Sequence, residues 1–153
     1  MKGFRFTQYV PPQDPEKNIF ENLLNIFLQL VTMTGGDVAE ALRKVHDSFK
    51  HEEIVFISLS TDKNKELWLQ SIRENAKRTK LNPWAGRSAA RKGTVMLYTG
   101  GTGNENDFCR KYVPNRFYPK LLLIDPDGKV VDGEIPRPDR NPVAFMSYIS
   151  GLL

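Results

Sequence analysis

Cys109 is the single cysteine among 153 residues. A lone thiolate can attack a disulfide, but thiol–disulfide exchange needs a second thiol to resolve the mixed disulfide. No internal disulfide is possible with one sulfur. The adjacent Arg110 and Lys111 would lower the pKa of this thiol if they faced it, leaving monothiol chemistry as its one redox option. His46 and His51 lie near the end of a predicted helix. With one distant cysteine they show no metal-ligand spacing; they read as solvent-facing side chains favoured by the helix's negative end. Thr99-Gly100-Gly101-Thr102-Gly103 lacks both the Lys-Ser/Thr of a P-loop and the spacing of a dinucleotide loop. It reads as a turn into a helix capped near Asn104. No metal and no cofactor is implied.

One further cluster is chemical by charge alone. From Arg73 to Lys92 there are seven cations (Arg73, Lys77, Arg78, Lys80, Arg87, Arg91 and Lys92) against one acid, Glu74, with Trp84 among them. One reading is a patch for a polyanion or an acidic protein, with the tryptophan as a stacking ring. The other is a solvated loop whose tryptophan tucks against the body. A net charge of +4 is modest and weighs against a nucleic-acid partner.

The elements that must position these residues follow the α/β pattern. A chain of this length forms one domain and buries roughly two-thirds of its unfolded surface. Residues 1–14 are polar and proline-bearing, a lead-in arm with strand-like alternation at Phe4 to Phe6; residues 15–153 form the domain. Asp14-Pro15-Glu16 is a helix start, and Ile19, Phe20, Leu23, Leu24, Phe27, Leu30 and Val31 continue at helical steps. Gly35-Gly36 breaks that element. Asp37 caps a helix with its stripe at Val38, Leu42, Val45 and Phe49. Ile54 to Ser60 is a strand, Thr61-Asp62 caps a helix with Trp68 and Ile72 inside, and Val95 to Tyr98 is a strand. Phe108 and Tyr112, four apart, face inward from the next helix. No apolar run is long enough to span a membrane.

Most informative is the stretch from Tyr112 to Val131. Lys120 to Ile124 has strand length and follows Pro119, which belongs at a strand's first position or in a turn. Asp125-Pro126-Asp127-Gly128 is turn chemistry, with Gly128 at the positive φ that closes a hairpin bulge. Lys129 to Asp132 returns as a second strand.

The run FCRKYVPNRFYPKLLLIDPDGKVVDGEIPRP, from Phe108 to Pro138, resembles the C-terminal half of TlpA/ResA-type thiol–disulfide oxidoreductases of the thioredoxin superfamily. IVFISLSTDKNKELWLQSI, from Ile54 to Ile72, is similar to the strand and helix that precede it there. The resemblance implies a thioredoxin-like α/β fold, a mixed central sheet flanked by helices. It implies that Tyr118-Pro119 is cis, that Asn141 to Leu153 is a closing helix, and that 73–92 is an insertion. It also places a strand near Ile26 to Met33, where periodicity favours a helix; both readings stand.

The family's reaction depends on a Cys-x-x-Cys at a helix N-terminus. The corresponding place, between Val31 and Gly36, reads Val-Thr-Met-Thr-Gly-Gly, so Thr32, Met33, Thr34 and Gly35 stand at the active-site turn. A threonine hydroxyl has no comparable acidity, and dithiol chemistry is expected to be absent. The segment also looks shortened, as though its catalytic part were lost or missing. What the resemblance leaves is a surface at Phe117, Tyr118 and Pro119 for an extended peptide or partner protein, added as a strand. It also implies work outside the cytoplasm. No basic–apolar–small leader opens the chain, so a native start at Met1 would place it in the cytoplasm.

Overall fold

A computed structural model describes residues 7–8, 28–33, 36–49, 54–73, 77, 79–80 and 94–153. The described residues contain strands β1 (Thr7–Gln8), β2 (Leu28–Met33), β3 (Ile54–Ser60), β4 (Thr94–Tyr98), β5 (Lys120–Ile124) and β6 (Val130–Asp132). Helices α1 (Gly36–His46), α2 (Lys65–Ile72), α3 (Asp107–Tyr112) and α4 (Pro142–Ser150) complete the set, with a 3-10 turn at Gly103–Glu105. The strands form one mixed sheet in the order β1-β4-β3-β2-β5-β6. β2, β3 and β4 run parallel; β5 is antiparallel to β2, β6 to β5, and β1 to β4.

Over 28–33, the described part of the stretch left open between helix and strand, the chain is strand. β2 is paired on both edges, from Leu28↔Ile54 to Met33↔Leu59 on one side and from Gln29↔Ile124 to Met33↔Lys120 on the other. Leu30, Val31 and Met33 are fully buried, and Thr32 nearly so. A strand covered on both faces carries apolar residues in sequence rather than in alternation, so its pattern mimics a buried helix. Only two residues separate β2 from α1. The helix predicted from Asp14, and Phe4 to Phe6, lie outside the described residues. The arm's described strand, Thr7–Gln8, pairs with the end of β4.

Alternation divides the core. Val31, Met33, Val55, Ile57, Leu59, Val95, Leu97, Leu122 and Ile124 face one way and pack with Phe108 and Cys109 of α3. Leu30, Ile54, Phe56, Leu121 and Leu123 face the other way, against Val38 and Leu42 of α1 and Phe145 and Ile149 of α4. Trp68 and Ile72 of α2 pack on Met96 and Tyr98, with the Trp68 and Tyr98 rings stacked at 4.7 Å.

Three caps differ from expectation. α1 starts at Gly36, one residue ahead of Asp37, a difference within the ordinary fraying of helix ends. α2 is capped not by Thr61-Asp62 but by Asn64, whose side chain accepts from the Glu66 and Leu67 N–H groups. The Tyr98 hydroxyl donates to the Lys63 carbonyl at 3.1 Å, just ahead of that cap. Gly103 helps hold that segment: at φ +56° a Cβ there would sit 3.0 Å from the Thr61 carbonyl oxygen. The 3-10 turn absorbs Asn104, and Asn106 caps α3 by accepting from the Phe108 N–H at 3.0 Å.

His46 is the remaining correction. It is buried, not solvent-facing, at 7% exposure, edge-on to Phe56 at 5.1 Å. It stands one turn beyond Leu42, so the helix's apolar stripe carries it onto β3. His51 lies outside the described residues. Because Leu123 is fully buried on a strand paired on both edges, Leu123→Ala should cost about 2–5 kcal/mol, read as a lower urea midpoint with an unchanged slope.

Candidate functional site

Pairing register assembles the site. Met33, the last residue of β2, stands opposite Lys120, the first of β5. The segment Phe117-Tyr118-Pro119 immediately before Lys120 is thereby brought to the C-terminal end of β2. The Tyr118-Pro119 peptide bond is cis. Of the four residues at the expected active-site turn, Thr32 and Met33 are strand residues at 4% and 0% exposure; Thr34 and Gly35 lie outside the described residues.

The approach to Pro119 is built by local chemistry. α3 ends at Tyr112, and the Val113 N–H bonds back to the Cys109 carbonyl at 2.8 Å. The Arg116 N–H donates to the Val113 carbonyl at 2.9 Å, and the Asn115 side chain accepts from the Phe117 N–H at 3.2 Å. Arg116 adopts a left-handed φ of 57°, a conformation that costs a non-glycine residue about 1 kcal/mol or more. Its guanidinium reaches the Glu105 carboxylate at 2.7 Å, tying the loop to the 3-10 turn. These contacts leave Phe117 75% exposed, an aromatic ring held outward beside Tyr118 and Pro119.

Tyr118 turns the other way. Its ring packs against the core cluster that contains Cys109, and its hydroxyl is buried without a hydrogen-bond partner among the described residues. Burial is the largest influence on both groups. It pushes the Cys109 thiol above its ordinary value, a rise partly offset by the neighbouring phenol. It pushes the Tyr118 phenol up to about 12, aided by that thiol and opposed by Arg116. Cys109 is 1% exposed, while Arg110 and Lys111 are exposed on the solvent side of α3. The activation expected from those cations is absent: burial prevails, and the thiol stays protonated at neutral pH.

Of the basic cluster, Arg73, Lys77 and Lys80 are exposed, and Arg73 pairs with Glu66 at 3.3 Å. Arg78, Trp84, Arg87, Arg91 and Lys92 lie outside the described residues. Among the described residues no group of three or more His, Cys, Asp or Glu is placed to hold a metal ion. No helix among them is long and apolar enough to cross a membrane.

No protein-family model matches the sequence, and no curated protein does either. Solved structures do. The chain is similar to a thiol-disulfide oxidoreductase from Bacteroides fragilis NCTC 9343, with a TM-score of 0.58 at 15% identity over 83% of this chain and 82% of that one. A putative thiol-disulfide oxidoreductase from Bacteroides vulgatus matches at 0.55 and 23% identity, over 85% and 79%. Thioredoxin peroxidase I of Plasmodium yoelii matches at 0.58 and 17%, over 86% and 76%. The fold is thioredoxin-like. On this fold the chain carries one cysteine, so the Cys-x-x-Cys dithiol is absent.

Sequence reasoning did not find the Tyr118–Cys109 neighbourhood or the Glu105–Arg116 tie. The partners are nine and eleven residues apart, outside any local period, and only the loop's path joins them. A pH dependence follows from the raised pKa values. The folded state holds its phenol and thiol protons more tightly than the unfolded chain, so stability is full below the unfolded values of both; it falls as pH rises past them, the phenol's share between its ordinary 10.0 and about 12. Chemical denaturation across pH 8 to 12 should show that loss. Tyr118→Phe removes the buried phenol and should give a shallower alkaline decline.

Proposed function

We propose that this protein is a thioredoxin-fold binding module that receives an extended peptide segment at Phe117-Tyr118-Pro119 and performs no dithiol exchange. The observation that carries this reading is the exposure of Phe117, at 75%, on a loop brought to the end of β2 by the Met33↔Lys120 register. An exposed aromatic ring held by local hydrogen bonds and an ion pair offers a large contact area at little ordering cost. Backbone groups of the same loop can pair with an extended strand.

The chemistry of the sulfur supports the second half of the reading. A resolving thiol is needed to release a mixed disulfide, and the chain has one cysteine. That cysteine is buried with its pKa raised, which disfavours the thiolate that attacks disulfides.

Two measurements test the two halves. In insulin reduction with dithiothreitol, turbidity should develop no faster than without the protein; a clear acceleration, lost in Cys109→Ser, would overturn the claim of no exchange. The blocked peptide acetyl-Val-Thr-Gln-Val-Thr-Val-amide should shift the backbone NMR resonances of Phe117, Tyr118 and Lys120. Phe117→Ala should weaken that binding by about tenfold. Saturable shifts confined to another surface, or none at millimolar peptide, would end the binding reading.

A further inference from the structure

The loop ahead of β5 hangs between two fixed ends. On one side the chain leaving α3 closes a turn, in which the Val113 carbonyl accepts from the Arg116 N–H at 2.9 Å. On the other, Lys120 is paired with Met33 in the sheet. Arg116 is the pivot between them, and its φ of 57° is one that a residue with a Cβ adopts at a cost. Two side-chain contacts bear on that pivot. The Asn115 side chain spans it, accepting from the Phe117 N–H at 3.2 Å. Arg116 Nη2 donates to Glu105 Oε1 at 2.7 Å. The first contact is neutral; the second is an ion pair between side chains 62% and 60% exposed.

Glu105 itself is firmly placed. Its N–H donates to the Thr102 carbonyl at 3.0 Å. Thr102 and Gly103 are tied in turn to Thr99, through the Thr102 hydroxyl on the Thr99 carbonyl at 2.6 Å and the Gly103 N–H on Thr99 Oγ1 at 3.2 Å. Thr99 is buried at 4% exposure, and its N–H donates to the Ser60 carbonyl at 3.2 Å. The Thr99–Gly103 turn is thereby a bracket that fixes Glu105 to the ends of β3 and β4. Arg110 stands 4.0 Å from the same carboxylate and 3.4 Å from Asp107, but both ends of those contacts precede the loop.

The cost of a left-handed pivot and the gain from an exposed ion pair are of the same order, so neither overwhelms the other. From this balance we infer that Glu105 and Arg116 form a salt-sensitive latch on the Phe117 loop. With the pair made, Arg116 stays left-handed and Phe117 points outward; with the pair screened, the pivot relaxes and Phe117 changes direction. The latch goes beyond the binding reading and stands independently of it, and it makes presentation of the Phe117 ring depend on ionic strength.

Water-exchange NMR on the whole chain reads the latch through the Phe117 N–H, which loses its Asn115 partner when the pivot turns. The Ala144 N–H, held at 3.0 Å by the Asn141 side chain, is a reference of the same chemistry elsewhere in the fold. Relative to it, exchange at Phe117 should rise about two- to fivefold in Glu105→Gln. The unchanged chain should show a similar rise as sodium chloride goes from about 0.05 M to about 1 M, whereas Glu105→Gln should not respond to salt. Arg116→Asn, added to Glu105→Gln, should restore protection at Phe117, because asparagine takes a left-handed φ more readily. Exchange indifferent to both Glu105→Gln and salt overturns the latch. A salt response that persists in Glu105→Gln overturns the role of that carboxylate, and protection that Arg116→Asn fails to restore overturns the part given to backbone strain.

Discussion

The double pairing of β2 is the constraint on which the rest depends. Its backbone is bonded on one side to β3 in parallel and on the other to β5 in antiparallel sense, and Leu30 to Met33 are withdrawn from water. A one-residue slip against β5 would turn Leu121 and Leu123 from one core into the other. It would also carry Pro119 and the Phe117 loop away from the end of β2. Register, core partition and site are therefore one choice, made by the same hydrogen bonds.

Desolvation then decides the chemistry. The sulfur and the phenol beside it sit on the core side of a loop whose aromatic neighbour points outward. Cations next to Cys109 in sequence have no hold on it, because a helix sends neighbouring side chains in different directions. What the surface keeps is an exposed ring beside an open cleft. Arg137 and Asp139 anchor each other inward, while Lys120 and Glu134 meet across an open wall. The left-handed Arg116 and its contact with Glu105 belong to the same arrangement, since they fix the path that keeps Phe117 outside.

Much of this was legible before any coordinates. The hairpin is one case: the Asp125 carbonyl accepts from the Gly128 N–H at 2.9 Å, its side chain accepts from the Lys129 N–H at 2.9 Å, and Gly128 takes φ +84°. Pro126 and Gly128 announce that turn by their own backbone preferences. Strands β3 and β5 were equally plain as short apolar runs bounded by turn residues. The closing helix came from the resemblance; the structure adds its cap, Asn141, whose side chain accepts from the Ala144 N–H. β2 was not plain, because burial on both faces erases the two-residue period that marks a strand. His46 misled for the opposite reason: its polarity suggested solvent, yet its place on the helix stripe put it against Phe56.

Composition and local turn chemistry thus determined that the chain is an α/β protein with one thiol and no partner for it, and that a proline-led strand and hairpin stand in its second half. Those are matters of counting and of backbone preference within a few residues. The tertiary structure alone decided that the thiol is buried against Tyr118, that Phe117 faces out, and that Lys120 meets Glu134 fourteen residues away. Each depends on the direction of a side chain relative to a sheet assembled from distant strands, and no short window of sequence encodes it.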